Sequence, residues 1–322
     1  MSYADAKIVD VSEIPVIDLE PLFNGEAGER LVGENLLSTV ENVGFFYVKN
    51  HRIAQQLIDR VFEAGQEFYG AAAEQKSLVK VRDYHRGYLP IGEATMPGVK
   101  TIDLKESFIW GLDVKNDDPD IRRSQGLIAP NRWPDFMPKL KETLNEYFNA
   151  SNELGKVLLR AFAAGMKLSH DYFTRSFSKP LTRGALIHYP PQPSKLGNEQ
   201  FGVGPHTDYG CLTLLCQDLV GGLQVLHRNG TWITAHPIPE TIVVNVGDLL
   251  HRWSNNKFLS NPHRVINASG GERFSVPVFV DPNWDTLIDP ATPNGETPLY
   301  EAVRCGDYIR SRYEQSFAYR QQ

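Results

Sequence analysis

Apolar and polar residues follow two different patterns along the chain, with the change near Pro180. Ahead of it, Pro15-Val16-Ile17-Asp18-Leu19 reads as a short strand. Leu31, Leu36, Leu37 and Val40 then fall on one face of a helix predicted over about 29–43 and closed by Gly44. Phe45-Phe46-Tyr47-Val48 is aromatic and β-branched and predicts a strand, and a second helix is predicted over 53–69. The stretch 82–138 keeps no period and is interrupted by proline and glycine. An idle loop of that length is uncommon, so it is expected to be binding surface. Leu140, Leu144, Tyr147, Phe148, Leu154 and Leu158 next predict a long helix over 139–167.

After Pro180 the chain reads as short strands separated by turns, over 184–189, 212–217, 223–227, 232–238, 242–246, 264–267 and 274–280. Asn229-Gly230 lies between the third and fourth of these, the dipeptide that best suits a two-residue hairpin turn. Many short strands at close spacing predict a sandwich or barrel, and 299–320 returns to helix. The expected organisation is helices, an all-β core and a closing helix.

Composition narrows the class. With 33 Lys+Arg against 39 Asp+Glu the net charge is −6, and no block of like charges offers a surface for nucleic acid or anionic lipid. The chain has 322 residues, 41% of them hydrophobic, enough for one large domain or two ordinary ones and too apolar for disorder. Three cysteines cannot form a disulfide framework, which suits a reducing compartment. The start carries no basic flank ahead of an apolar run, and no 18-residue apolar stretch follows. The expectation is a soluble, cytoplasmic protein that acts on a small molecule and contacts neither nucleic acid nor membrane; oligomeric state stays open.

Candidate chemistry centres on Gly204-Pro205-His206-Thr207-Asp208. In extended chain, residues i and i+2 point to one side, so His206 and Asp208 present an imidazole and a carboxylate to a common point. Asn261-Pro262-His263 supplies a third ligand at the start of a later strand. Two histidines and one carboxylate with open positions suit non-haem Fe(II), although zinc accepts the same set. Arg273-Phe274-Ser275 places a guanidinium and a hydroxyl on one strand face, a receptor for a carboxylate.

These residues, in this order, resemble the 2-oxoglutarate- and Fe(II)-dependent dioxygenases, in the branch that includes isopenicillin N synthase, the flavonoid and gibberellin oxidases and the ethylene-forming enzyme. The resemblance extends to Leu212-Thr213-Leu214-Leu215, Gly221-Gly222-Leu223-Gln224-Val225, Asn245-Val246-Gly247-Asp248 and Trp253-Ser254-Asn255. In the N-terminal part it includes Ile14-Pro15-Val16-Ile17-Asp18, Gly44-Phe45-Phe46, Asn50-His51, Arg86-Gly87-Tyr88 and Lys105-Glu106. It implies a mixed α and β protein whose core is a double-stranded β-helix, a distorted jelly roll with surrounding helices. An N-terminal region over 1–175 would pack on a β-core over 176–285, with a helical tail over 286–322. It implies that His206, Asp208 and His263 bind Fe(II) and carry the catalysis. Arg273, Ser275 and Tyr189 would hold the distal carboxylate of 2-oxoglutarate. The implied reaction consumes dioxygen, decarboxylates 2-oxoglutarate to succinate and hydroxylates a small molecule.

Other residues carry weaker expectations. Tyr88, Phe108, Phe279 and Trp284 are candidates to line the substrate pocket, with Arg86 or Lys105 as anion anchors. Asn245 could support the metal site, His251 is a spare ligand, and His188 is expected to pack. Two alternatives remain at this point: an isopenicillin N synthase-like or cyclopropane-amino-acid-oxidase-like Fe(II) oxidase that does not use 2-oxoglutarate, and a non-catalytic jelly-roll binding protein.

Overall fold

Strand-forming residues and helix-forming residues meet across a single large sheet. The computed structural model describes residues 14–93, 102–192, 201–267 and 269–316. Its N-terminal region contributes β1 (Val16–Asp18), α1 (Glu26–Val40), β2 (Phe45–Lys49), α2 (Gln55–Gly70), α3 (Ala73–Leu78), β3 (Gly87–Leu89), β4 (Glu106–Gly111), α4 (Asp120–Arg123) and α5 (Pro138–Gly165). The rest supplies β5 (Arg183–Tyr189), β6 (Val203–His206), β7 (Leu212–Gln217), β8 (Leu223–Leu226), β9 (Trp232–Thr234), β10 (Ile242–Val246), α6 (Asp248–Trp253), β11 (His263–Val265), β12 (Arg273–Val280), β13 (Leu287–Ile288), β14 (Val303–Arg304) and α7 (Cys305–Ser316).

Eight strands form the main sheet in the order β1-β2-β10-β7-β12-β5-β4-β3, and four form a second sheet, β6-β11-β8-β9. Apart from the parallel β1–β2 pair, the recorded pairings are antiparallel. Alternation along each strand sorts side chains to two cores. Phe45, Tyr47, Ile187 and Val243 of the main sheet pack with Val203, Leu223, Val225 and Val265 of the second, inside the jelly roll. Phe46, Val48, Leu186, Phe274, Val276 and Val278 point the other way, into a larger core with residues of α1, α2 and α5. The molecule is a double-stranded β-helix clad on one side by helices, as the resemblance implies.

Several expectations need correction. The stretch 82–138 is not irregular throughout, because β3 and β4 extend the main sheet beside β5. All six residues of β4 are buried, so the polar–apolar alternation of a one-sided strand is missing there. In α1 the buried face runs through Val32, Gly33, Leu36 and Val40, whereas Leu31 is 53% exposed. The predicted 232–238 strand stops at Thr234, ahead of Pro237 and Pro239, and β6 was not anticipated. The closing helix begins at Cys305 rather than near residue 299, and 317–320 lie outside the described residues. Among the described residues no helix is long and apolar enough to cross a membrane.

Candidate functional site

The three candidate ligands come from two strand ends and one turn. His206 closes β6 and His263 opens β11, and the two are direct cross-strand partners, which sets their rings 4.3 Å apart between centroids. Asp208 lies in the tight turn that follows β6. Gly210 in that turn is required by space: a Cβ there would collide with Asp281 Oδ1, the atom that accepts the Cys211 amide. His206 Nε2 is 3.7 Å from Asp208 Oδ1 and His263 Nε2 is 3.8 Å from Asp208 Oδ2. One ligand atom from each of the three lies within 4.8 Å of the other two, so the group could hold a metal ion.

Backbone and side-chain partners aim these atoms. His206 Nδ1 donates to the Gly204 carbonyl at 2.8 Å and His263 Nδ1 faces the Asn261 carbonyl at 3.3 Å, leaving both Nε2 atoms turned inward as lone-pair donors. Asp208 Oδ2 accepts from Thr213 Oγ1 at 2.5 Å and Asn245 Nδ2 at 2.7 Å. Thr213 and Asn245 are themselves cross-strand partners on β7 and β10, so a single rung of the main sheet fixes the carboxylate. Burial, and then the neighbouring His263, push the His206 imidazole down to about 3. Burial raises the Asp208 carboxyl, but His263, His206 and the two hydrogen bonds outweigh it and hold it below the usual range. Two imidazole Nε2 atoms facing a carboxylate are the donor set a divalent cation binds.

Beside the triad, a cavity is lined by Tyr189, Arg273, Ser275, Asn245, Leu223 and Val265, among others. Arg273 is fully buried, with its guanidinium carbon 4.5 Å from the centroid of the Tyr189 ring. Its Nε donates to the Gly221 carbonyl and its Nη2 lies 3.4 Å from Gln217 Oε1, while Nη1 has no hydrogen-bond partner. Asp218 feels this charge, yet its two oxygens accept the Phe274 and Val220 amides. Ser275 Oγ reaches Tyr189 Oη at 3.4 Å. A buried guanidinium with an orphaned N–H beside two hydroxyls fits a carboxylate.

A second cavity continues past the triad; its walls include His85, Lys105, Ser107, Ile109, Arg183, Thr207, Tyr209 and Phe279. Lys105, Ile187, His206, Asp208 and Phe279 border both spaces. Parity on β4 decides which candidates reach them: Lys105, Ser107 and Ile109 face inward, while Glu106 and Phe108 face the helices. Phe108 packs against Phe68 with centroids 5.0 Å apart, and Tyr88, its cross-strand partner, donates its hydroxyl to Glu106. Arg86 is buried elsewhere, donating to the His85 and Leu127 carbonyls, and Trp284 packs on the outer core. His251 bonds Phe258 O and Tyr300 Oη away from the triad, and His188 donates to Glu106. Sequence reasoning passed over Arg183, His85, Ser107, Ile109 and Thr213. Period-two reading of β4 against β5 would have found Ser107 and Ile109.

Comparison with known proteins agrees with this geometry. The family model of the 2OG-Fe(II) oxygenase superfamily matches residues 182–282, and that of the non-haem dioxygenase in morphine synthesis N-terminal region matches 14–136. The chain is 35% identical to the 2-oxoglutarate-Fe(II) type oxidoreductase hxnY of Emericella nidulans, over 94% of this chain and 90% of that protein. It is 34% identical to homoarginine-6-hydroxylase of Glycine max, over 96% and 98%. The crystal structure of a full-length Neurospora crassa protein in complex with alpha-KG and thymine superimposes with a TM-score of 0.82 at 31% identity, covering 94% of this chain and 96% of that one. With the two family models, these relatives and this donor set in agreement, the chain belongs to the 2OG-Fe(II) oxygenase superfamily and is an Fe(II)- and 2-oxoglutarate-dependent oxygenase.

Proposed function

We propose that His206, Asp208 and His263 hold the Fe(II), that Arg273, Ser275 and Tyr189 take the distal carboxylate of 2-oxoglutarate, and that the enzyme hydroxylates a small molecule in the cavity walled by Arg183 and Phe279. The observation that carries this reading is the Arg273 guanidinium, fully buried with one N–H unmatched on the wall of the cavity that holds the triad.

When bound, the iron supplies dioxygen activation coupled to decarboxylation of 2-oxoglutarate to succinate. The protein's own residues do the rest. Thr213 and Asn245 hold the Asp208 carboxylate in one orientation, which keeps it directed at the space between the two imidazoles. Arg273 and Ser275 sit on β12 facing Tyr189 and Ile187 of β5, which fixes the co-substrate's far end at one place along the strand pair. Ile187 and Phe279 give the space around the triad apolar walls that exclude bulk water.

Anaerobic Fe(II) titration in the presence of 2-oxoglutarate tests the reading. A metal-to-ligand charge-transfer band is expected with the wild-type protein and is expected to vanish in His206→Ala. An unchanged band in that variant, or no band at all, sinks the assignment.

A further inference from the structure

The wall that the two cavities share carries a lysine. Lys105, Ile187, His206, Asp208 and Phe279 border both spaces, and among these described residues Lys105 is the one ammonium. Its place follows from register. Glu106, the first residue of β4, pairs with His188, and Tyr189, next along β5, pairs with Arg273 of β12. Lys105 therefore stands one residue before β4, near the level of Tyr189. Arg273 is two strands away, a backbone separation of roughly 10 Å at ~4.8 Å per strand. Arg273 lines the first cavity alone of the two, whereas Lys105 also lines the second, so the lysine lies on the triad's side of that rung.

The segment around Lys105 is fixed to the strand that ends in His206. Asp103 is buried, and its Oδ1 accepts the Gly204 amide at 3.0 Å; the carbonyl of the same glycine accepts from His206 Nδ1. The Leu104 amide donates to the Phe201 carbonyl at 3.0 Å, and the Leu104 carbonyl accepts from Gln192 Nε2 at 3.0 Å. The Lys105 side chain is 11% exposed, and its Nζ lies 3.4 Å from Asp103 Oδ2. That contact is longer than a usual hydrogen bond, and Asp103 Oδ2 has no hydrogen-bond partner. An ammonium has three N–H donors, so one carboxylate neighbour leaves at least two for a ligand.

2-Oxoglutarate has two carboxylates, and the receptor around Arg273 takes one. The other, at the 2-oxo acid end, comes to the triad, where Asp208 is already an anion and like charges repel. We propose that Lys105 is a second co-substrate-binding residue, whose ammonium donates to the carboxylate of the 2-oxo acid end while Arg273 holds the far end. This rests on the reading that the triad loads iron and Arg273 takes 2-oxoglutarate.

The test uses the full chain loaded anaerobically with Fe(II) and reads the charge-transfer band with two ligands. One is 2-oxoglutarate; the other is 2-oxopentanoate, which keeps the 2-oxo acid end and lacks the far carboxylate. Lys105→Met is expected to weaken both about tenfold or more, the value of a charge-assisted hydrogen bond, and Lys105→Arg is expected to keep part of that affinity. A smaller loss for either ligand in Lys105→Met overturns the proposal; a loss confined to 2-oxoglutarate would place the lysine at the far carboxylate instead. Fe(II) affinity without any 2-oxo acid, measured by competition with a chelator, is expected to match the wild type in Lys105→Met. If it falls as far as the ligand affinity does, the lysine acts through the metal site or the fold, and the proposal fails. The same measurement decides the case in which Lys105→Met gives no band. With Fe(II) held normally the missing band supports the proposal, and with Fe(II) lost it overturns it. Two other results would instead fail the underlying reading: no band in the wild type with 2-oxoglutarate, or an equal loss of both ligands in Arg273→Ala.

Discussion

β4, β5 and β12 present two polar clusters on their two faces, and the clusters are built on opposite principles. On the helix side, Glu106 accepts from His188 at 2.8 Å, Tyr88 at 2.5 Å and Lys76 at 3.0 Å, so acid and base meet within the fold. Burial raises the Glu106 carboxyl, but these three donors bring it below its usual value. On the jelly-roll side, one residue further along the same strands, Tyr189 and Ser275 flank Arg273, whose cation contacts a carbonyl, an amide oxygen and a ring, is felt by Asp218, and leaves Nη1 without a hydrogen-bond partner. A buried guanidinium with an unmet hydrogen-bond donor is costly, and a ligand carboxylate would complete it. The first cluster is satisfied from within the fold, whereas the second leaves Arg273 Nη1 unmatched.

That contrast can be broken by substitution. The largest expected effect is Arg273→Ala, which should weaken 2-oxoglutarate binding by about 2–5 kcal/mol, or ~30- to ~5,000-fold, in the charge-transfer titration. A loss below threefold would mean that this guanidinium is structural after all. Leu186→Ala should destabilise the protein by about 2–5 kcal/mol in urea unfolding, because its side chain is fully buried and packs on Gly65 of α2. Ile187→Ala, its neighbour facing the cavities, should cost less stability while changing ligand affinity; equal stability losses would erase the difference between the faces.

Smaller effects sharpen the picture. Asn245→Ala removes one of two hydrogen bonds orienting Asp208 and should lower Fe(II) affinity about 10- to 100-fold by competition with a chelator. Glu106→Gln should cost about 1–3 kcal/mol of stability by leaving the Lys76 and His188 donors without their anion. Its 2-oxoglutarate affinity should stay within twofold of the wild type. A matching loss of co-substrate affinity would show that the two clusters are coupled through β5.

How much of this could be read from residues alone follows from where the signal lies. His206 and Asp208 are two positions apart, so one extended segment presents both, and the ordered motifs around them carry the family resemblance. β7 and β10 match the predicted bounds of 212–217 and 242–246, because their apolar runs are short and sharply ended. β4 escaped because it is buried on both faces, and with it went the parity that sends Ser107 and Ile109 to the cavity and Phe108 to the helices.

Periodicity and motif spacing are local properties, and they were sufficient for the β-rich core and for singling out His206, Asp208 and His263 as a candidate cluster. Thr213 and Asn245 acquire a role only through a cross-strand rung that brings them to one oxygen of Asp208. Arg183 gains its place only when β5 pairs with β12, bringing Phe279 to its guanidinium, and α7 brings Tyr313 to it as well. Register and helix docking bring together residues far apart in the chain, so the shape and charge of the pocket emerge with the assembled sheet.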